Sequence, residues 1–514
     1  MIFNIKNNGY KVSDIIFSIL DSKYFISILL FVVCILALIF NLEGGTGDYY
    51  HHAGVINELI QHPLHPNHPY YGTSDTTQYF TPYHLIVSIF ANLFHINALY
   101  GLTVFSIINI ILFILALITF SKTYYGSTKW IIVVVVLCLW WNKWGFSGEY
   151  SILILPSVSA YHSTFALSTM LFSLCLCIHP KLWKIILISI LSTITILSQP
   201  ITIFAMISGV AVFILTSNLS YKKRIAYLAL YFVLLTLLLC LWPYYSFFDI
   251  VLSTNSKLLE SSSKVQISTF PMYSLKEIIK VIWPILIICL FLIRDCWKQS
   301  KTLIIISCLI FIYYLLYIKS NNELTGRSLP ILLLFILIAL GNAIHSNATS
   351  KAAKRWIMIP LCILFMFNLL LSVWDYSKPD KSFIASLKRD LPAVCAFIDN
   401  DDIVLSDLNT SYHMLAYSGK AVATIFPQLY VKDDYQRKND IDIFFSEDTT
   451  NKERQYIITK HKAKYILVDK SHIRKNMNEM FVPISKSVID SIKTLGEPIT
   501  ETEQLILIKN KVIY

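Results

Sequence analysis

Residues 23–71 read KYFISILLFVVCILALIFNLEGGTGDYYHHAGVINELIQHPLHPNHPYY, an apolar run followed at once by a polar, histidine-rich stretch. Residues 24–42 are about 19 residues long, close to the ~20 that a helix needs to cross a hydrocarbon core of about 30 Å. Lys6, Lys11 and Lys23 precede the run and no small-residue cleavage site follows it. It is therefore expected to stay in place as an anchor, with the N-terminus on the cytoplasmic side. Beyond it, Gly44, Gly45 and Gly47 surround Asp48 on a turn that lets backbone and carboxylate come close to a ligand.

The rest of the chain repeats the apolar theme. Of its 514 residues 55% are hydrophobic and only 15% charged, and the mean hydropathy is +0.59. A soluble domain carries roughly a quarter charged residues, so membrane is the expected class. Further apolar runs lie near 100–120, 130–143, 163–178, 185–199, 201–217, 226–243, 277–293, 302–318, 328–345 and 356–374, which with the first makes eleven expected spans. The connections expected inside hold Lys122 and Lys129; Lys181 and Lys184; Lys222, Lys223 and Arg224; Arg294, Lys298 and Lys301; and Lys351, Lys354 and Arg355. This is the distribution that the positive-inside rule requires, provided that the amphipathic stretch 83–97 lies on the membrane surface. The net charge of +11 is thus spent on orientation, and nucleic acid is set aside as a partner.

Two domains are expected: a membrane part, 1–375, with outer loops 43–99 and 244–275, and an extracytoplasmic tail, 376–514. In the tail, strand-like runs at 403–406, 421–425, 465–468 and 505–508 alternate with polar helical stretches at 433–445 and 452–462. The expected fold class is a polytopic α-helical membrane protein with a C-terminal soluble α/β domain. Nine of the ten cysteines lie in or beside apolar segments without CxxC or Cys/His spacing, so neither a disulfide framework nor a zinc site is implied.

With this topology the ionisable residues gather on the outer side. Asp48 is the expected catalytic carboxylate, placed to take a proton from an acceptor hydroxyl, and a helix cap is its structural alternative. His51 and His52 follow within one helical turn of Asp48 and are expected to border the same pocket. Glu58, Glu149, Tyr150, His162, Lys257, Glu323 and Arg327 are candidate substrate-binding groups, because charges at membrane depth are costly unless they line a cavity. Arg327 suits a lipid phosphate through its planar, permanently charged fork. His62, His65 and His68, each followed by proline, predict a polyproline II rod with three imidazoles on one side.

A first helix leading straight into a long outer loop with Asp48, a surface helix introduced by Thr81-Pro82-Tyr83-His84, many spans and a soluble outer tail together resemble the GT-C superfamily of integral-membrane glycosyltransferases. The texts GVINELIQHPLHPNHPYY and VLSDLNTSYHMLAYSGK, the latter followed by KYILVD, are similar to a bacterial branch of it. The resemblance implies that Asp48 matches the first-loop catalytic carboxylate and that the reaction inverts the sugar. It implies a polyprenyl-phosphate-linked sugar as donor, with Arg327 at its phosphate, and a glycan or glycolipid of the cell envelope as acceptor. The bilayer is the further partner, at the outer face of the inner membrane. Many relatives carry two adjacent acids after the first helix, whereas Tyr49 and Tyr50 follow Asp48 here, so the need for a divalent metal stays open and no other cofactor is implied. Trp140-Trp141-Asn142 lacks the acid of the oligosaccharyltransferase Trp-Trp-Asp motif. The competing readings are a transporter or flippase of lipid-linked sugars, against which no Walker motif or inverted repeat speaks in its favour, and a glycan polymerase or ligase.

Overall fold

The structure is a computed structural model that describes residues 23–42, 48–75, 77–127, 155–248, 275–317, 328–345, 383–425, 428, 431–471, 473–476 and 480–511. The chain divides into two compact units, one of Met1–Asn41, Phe105–Leu238 and Met272–Lys378, the other of Leu42–Val104, Leu239–Pro271 and Pro379–Tyr514.

The first unit is built of apolar helices. Among the described residues, Ala98–Tyr125, Tyr221–Cys240 and Leu292–Leu316 are long and apolar enough to cross a membrane, and His162–Ile178, Leu182–Ser198 and Ile331–Ile344 are shorter apolar helices. Apolar tails of lipid give such helices little reason to associate, so small residues and hydroxyls hold them together. Thr169 and Thr195 share a 2.7 Å hydrogen bond between neighbouring helices, and Tyr231 donates to Ser192 at 3.3 Å. A Cβ on Gly209 would stand 2.8 Å from the end of the Leu174 side chain, which would have to shift to admit it. The runs expected at 277–293 and 302–318 lie within Leu275–Tyr317, where two helices meet at a kink on the non-helical Ser300 (φ −133°, ψ 29°). Tyr125 hydrogen-bonds the Ser300 hydroxyl at that kink.

The second unit contains helices α1 (Tyr49–Gln61), α2 (Pro82–Leu93) and α3 (Phe383–Cys395), and then an α/β succession. In order these are β1 (Ile403–Leu405), α4 (Leu408–Met414), β2 (Lys420–Ala421), α5 (Asp434–Phe444), α6 (Asn451–His461), β3 (Tyr465–Asp469), β4 (Ile473–Lys475), β5 (Phe481–Pro483), α7 (Lys486–Lys493), β6 (Gly496–Glu501) and β7 (Leu505–Asn510). The main sheet has the order β2-β1-β3-β7-β6, with β1 parallel to β2 and β3, and β7 antiparallel to β3 and β6. Strand β3 is buried along its whole length, as an uninterrupted Tyr-Ile-Leu-Val run covered on both faces should be. Local signals agree: Thr450 and Glu453 form a capping box at the start of α6, and Asp407 caps α4 through the amides of Asn409 and Thr410.

One face of this sheet buries Leu405, Ile466 and Val468 against α5, α6 and α7. The other face is covered by α3 and by the first loop, whose Val55, Leu59, Tyr70, Tyr71 and Phe80 share a core with Val404, Leu467 and Leu507. The described residues of the loop, from Asp48 on, and those of the tail therefore share one core. Their seam is closed by a buried ion pair, Lys420 Nζ to Glu58 Oε2, with side chains 5% and 0% exposed. The other Glu58 oxygen accepts the Asn67 amide at 2.7 Å, and Ala421 N donates to Tyr70 O at 2.6 Å. Removing one partner of such a pair strands a charge in a dry site, which costs about 3–5 kcal/mol. Lys420→Met is accordingly expected to lower the thermal stability of the purified protein by about that much, and pairing it with Glu58→Gln to recover part of the loss. Thermal unfolding of the three variants in detergent checks this, and equal stability of Lys420→Met and the parent would refute it.

Candidate functional site

Asp48 occupies the N-cap position of α1 but its side chain makes no capping hydrogen bond, while its carbonyl accepts the His52 amide at 3.0 Å. The structural alternative for this carboxylate, capping, is thus not its engagement. Asp48 is exposed, and its charge reaches the Tyr70 phenol, where it adds to burial in holding that hydroxyl protonated well above its ordinary range.

The next turn is buried and aromatic. His51 and His52 are each 2% exposed. The His51 ring lies 4.1 Å from Tyr70 and 4.6 Å from Tyr79, centroid to centroid. Burial drives its pKa down to about 3, with His68 assisting, so His51 is neutral throughout the physiological range. His52 stacks on His84 of α2 at 4.9 Å and 23°, with His52 Nδ1 2.8 Å from His84 Nε2. The Thr81-Pro82-Tyr83-His84 sequence places His84 there: Thr81 is the N-cap, Pro82 fixes the first helical φ, and Thr81 Oγ1 lies 2.8 Å from His84 Nδ1. Helix α2 ends at Leu93, short of the expected 97, and buries Tyr83, His84, Val87 and Ala91 while exposing Ile86, Ile89 and Leu93.

The tail adds a second wall. Tyr50 meets His413 at 4.8 Å and Tyr412 at 6.2 Å, and the Lys388 ammonium stands 5.4 Å over the Tyr50 ring. Nothing local in the sequence marks Lys388, Tyr412 or His413 as neighbours of residue 50; only the shared core brings α3 and α4 to α1. His84 had a local signal in its capped helix start, yet its partner lies 32 residues away.

Other expected site residues divide differently. Glu58 is consumed by Lys420 and the Asn67 amide, which makes it a structural anion instead of a substrate contact. The polyproline rod is not formed: the chain bends at 63–65, leaving His62 half-buried, His65 exposed and His68 buried, because Tyr70 and Tyr71 are drawn into the core. His68 stacks on Tyr71 at 5.0 Å, and burial beside Lys420 and Arg437 lowers its pKa to about 3. His162 begins its helix in the first unit and contacts Gln199 at 3.2 Å. Glu149, Tyr150, Lys257, Glu323 and Arg327 lie outside the described residues.

The two depressed histidines have a consequence for stability. In the unfolded chain each takes a proton near 6.5, whereas the folded protein refuses it until about 3. Their contribution is complete above pH 6.5 and drains away as pH falls towards 3, by about 1.4 kcal/mol per pH unit for each. Between pH 7 and pH 5, His68→Phe is expected to lose about 2 kcal/mol less stability than the parent, measured by denaturant unfolding at the two pH values.

No protein-family model matches the chain, and no curated protein matches its sequence. Solved structures do. ArnT from Cupriavidus metallidurans superimposes with a TM-score of 0.50 at 10% identity, over 95% of this chain and 98% of that one. The arabinofuranosyltransferase AftD from Mycobacteria superimposes with a TM-score of 0.51 at 12% identity, over 94% of this chain and 40% of that one. At these identities the likeness is one of fold.

Proposed function

We propose that this chain, a membrane protein of GT-C-like fold, is a glycosyltransferase that moves a sugar from a polyprenyl-phosphate donor to a cell-envelope glycan or glycolipid. The observation that carries the reading is Asp48: an exposed carboxylate at a helix start whose side chain does not cap the helix and whose charge reaches the buried Tyr70 phenol. A group so placed can accept the proton of an attacking hydroxyl as the sugar leaves phosphate. The name of AftD, an arabinofuranosyltransferase, supports the reaction class.

In this reading Asp48 is the general base, His51 and His52 orient the acceptor, and Arg327 neutralises charge on the departing phosphate. A desolvated phosphate at a lipid boundary is otherwise very unfavourable, so the guanidinium is the group on which donor binding depends. Eleven spans with the N-terminus inside would put Asp48 and the tail on the outer face of the inner membrane, where an acceptor glycan is available. Inversion at the sugar follows if Asp48 activates the acceptor directly, without a covalent intermediate.

Asp48→Asn is expected to lower the rate of sugar transfer by roughly 10²–10⁴-fold without changing expression or detergent stability. Transfer is read with purified protein in nanodiscs, a polyprenyl-phosphate sugar and envelope extract. Full transfer by Asp48→Asn would remove the base. Movement of the lipid-linked sugar across the bilayer without transfer would favour the flippase. Arg327→Ala is expected to raise the donor concentration needed for half-maximal rate by about tenfold or more, the loss of one charge-assisted contact.

A further inference from the structure

One stripe of helix α1 rests on helix α4. Tyr50, Gly54 and Asn57 stand at i, i+4 and i+7, the spacing that puts side chains on one face of a helix. Each of the three meets α4 or the residues that close it. Tyr50 packs on Tyr412 and His413, at 6.2 and 4.8 Å between ring centroids. A Cβ on Gly54 would stand 3.3 Å from both the Cβ and the carbonyl oxygen of Leu415, closer than the ~3.5–4.0 Å at which carbon contacts are favourable. Asn57 Nδ2 donates to Ala416 O at 3.0 Å and to Leu415 O at 3.4 Å.

These contacts differ in kind from the apolar core around them. The last carbonyls of a helix have no partner within it. Leu415 is the C-cap of α4, and the amide that reaches its carbonyl and the next one comes from a residue 358 and 359 positions earlier in the chain. Carbonyls only accept, so the nitrogen of the Asn57 amide is the atom that faces them, and the orientation of the side chain is fixed. Apolar burial has no preferred direction and permits sliding, whereas a clamp on two carbonyls and a backbone approach at Gly54 do not. The depth and the register of α1 on α4 are both set within one turn, between Gly54 and Asn57.

The first turn of α1 lies just N-terminal to this clamp. Asp48 stands exposed at its N-cap position, with its carbonyl on the His52 amide, and His51 lies 6.3 Å from Tyr412 of α4. Asp48 precedes Gly54 by about 9 Å of helix at ~1.5 Å per residue, so a displacement at the glycine is carried to the carboxylate by the hydrogen-bonded backbone. We infer that Gly54 and Asn57 are positioning residues: they set α1 in register on the end of α4, and so hold Asp48 where sugar transfer needs it. Both act through α1 and not on the substrate. The part played in transfer rests on the reading of Asp48 as the general base; the register does not.

Three variants separate position from stability. Gly54→Ala adds the crowding Cβ yet improves helix propensity, so its two effects on stability oppose each other. Gly54→Val adds more bulk at the same place. Asn57→Asp keeps the shape but replaces the donor by an acceptor, which repels both carbonyls.

The full-length protein with labelled histidines is reconstituted in lipid and read by proton-detected solid-state magnetic resonance at pH 7. His413 reports the register, because the Tyr50 ring 4.8 Å away shifts its ring protons. His461 is the control: it lies in α6, which packs on the other face of the sheet, and is bound to Asp440 at 2.7 Å. His413→Gln and His461→Gln identify the two signals, and Tyr50→Leu shows where the His413 signal stands without the α1 ring. Asn57→Asp and Gly54→Val are expected to move the His413 signal towards its Tyr50→Leu position, and Gly54→Ala by a smaller amount, with His461 unmoved. A stationary His413 in Asn57→Asp and Gly54→Ala, or an equal shift of His461, overturns the inference; these two variants decide it if Gly54→Val does not fold.

Transfer is then measured per donor-binding site, with a polyprenyl-phosphate sugar and envelope extract. Asn57→Asp is expected to lower kcat by about tenfold or more with the donor KM nearly unchanged, since misplacing a reacting group by ~1 Å can cost ~10²-fold. A structural role alone would lower the number of donor-binding sites and leave kcat per site as in the parent. A displaced His413 with a parent-like kcat per site would overturn the link to Asp48, while the base itself is judged separately by Asp48→Asn.

Discussion

The second unit depends on one constraint: Glu58, in the loop after the first helix, must be neutralised by Lys420, from a strand more than 360 residues later. Burying either charge alone would be prohibitive, so the loop and the tail can be dry at this seam only together. The apolar contacts around the pair follow from it. Tyr70 and Tyr71 enter the core beside β2, and Tyr71 donates to Asp434 at 2.5 Å while Arg437 stands 5.1 Å over its ring. Val55 and Leu59, on the same helix as Glu58, cover the sheet face that α3 leaves open.

This docking fixes the environment of α1. While Val55 and Leu59 pack into the sheet core, Tyr50 meets Tyr412 and His413 of α4, and His52, two residues on in the same helix, stacks on His84 of α2. His51 is left among Tyr70, Tyr79 and Tyr412. The neutral His51 imidazole and the Tyr70 phenol packed on it are products of tertiary packing, and burial is what keeps those two groups neutral.

Stability and reactivity are connected here through the same residues. His68 and Glu58 look like site groups in a linear reading, since both are ionisable and both sit in the polar loop. Their contacts are internal: a ring stacked on Tyr71, and a carboxylate closed by Lys420 and the Asn67 amide. They hold the scaffold on which Asp48 and His52 stand. Thr81 joins local and tertiary structure, because one oxygen both starts α2 and touches the imidazole that stacks on His52.

The sequence by itself determined what local chemistry controls. Apolar length and low charge marked the helices, the β-branched and aromatic runs marked the strands around 403, 465 and 505, and Thr81-Pro82 marked the start of α2. Asp48 stood out because glycines and a helix start surround it. Tertiary structure decided the rest. Which face of α1 is covered, why the His-Pro repeat bends instead of forming a rod, and how His84 and His413 come to α1 all depend on contacts between residues 32 to more than 360 positions apart. Local periodicity carries no record of such distances, because the free energy that selects those pairings is that of burial and charge neutralisation, which exist only once the chain has closed on itself.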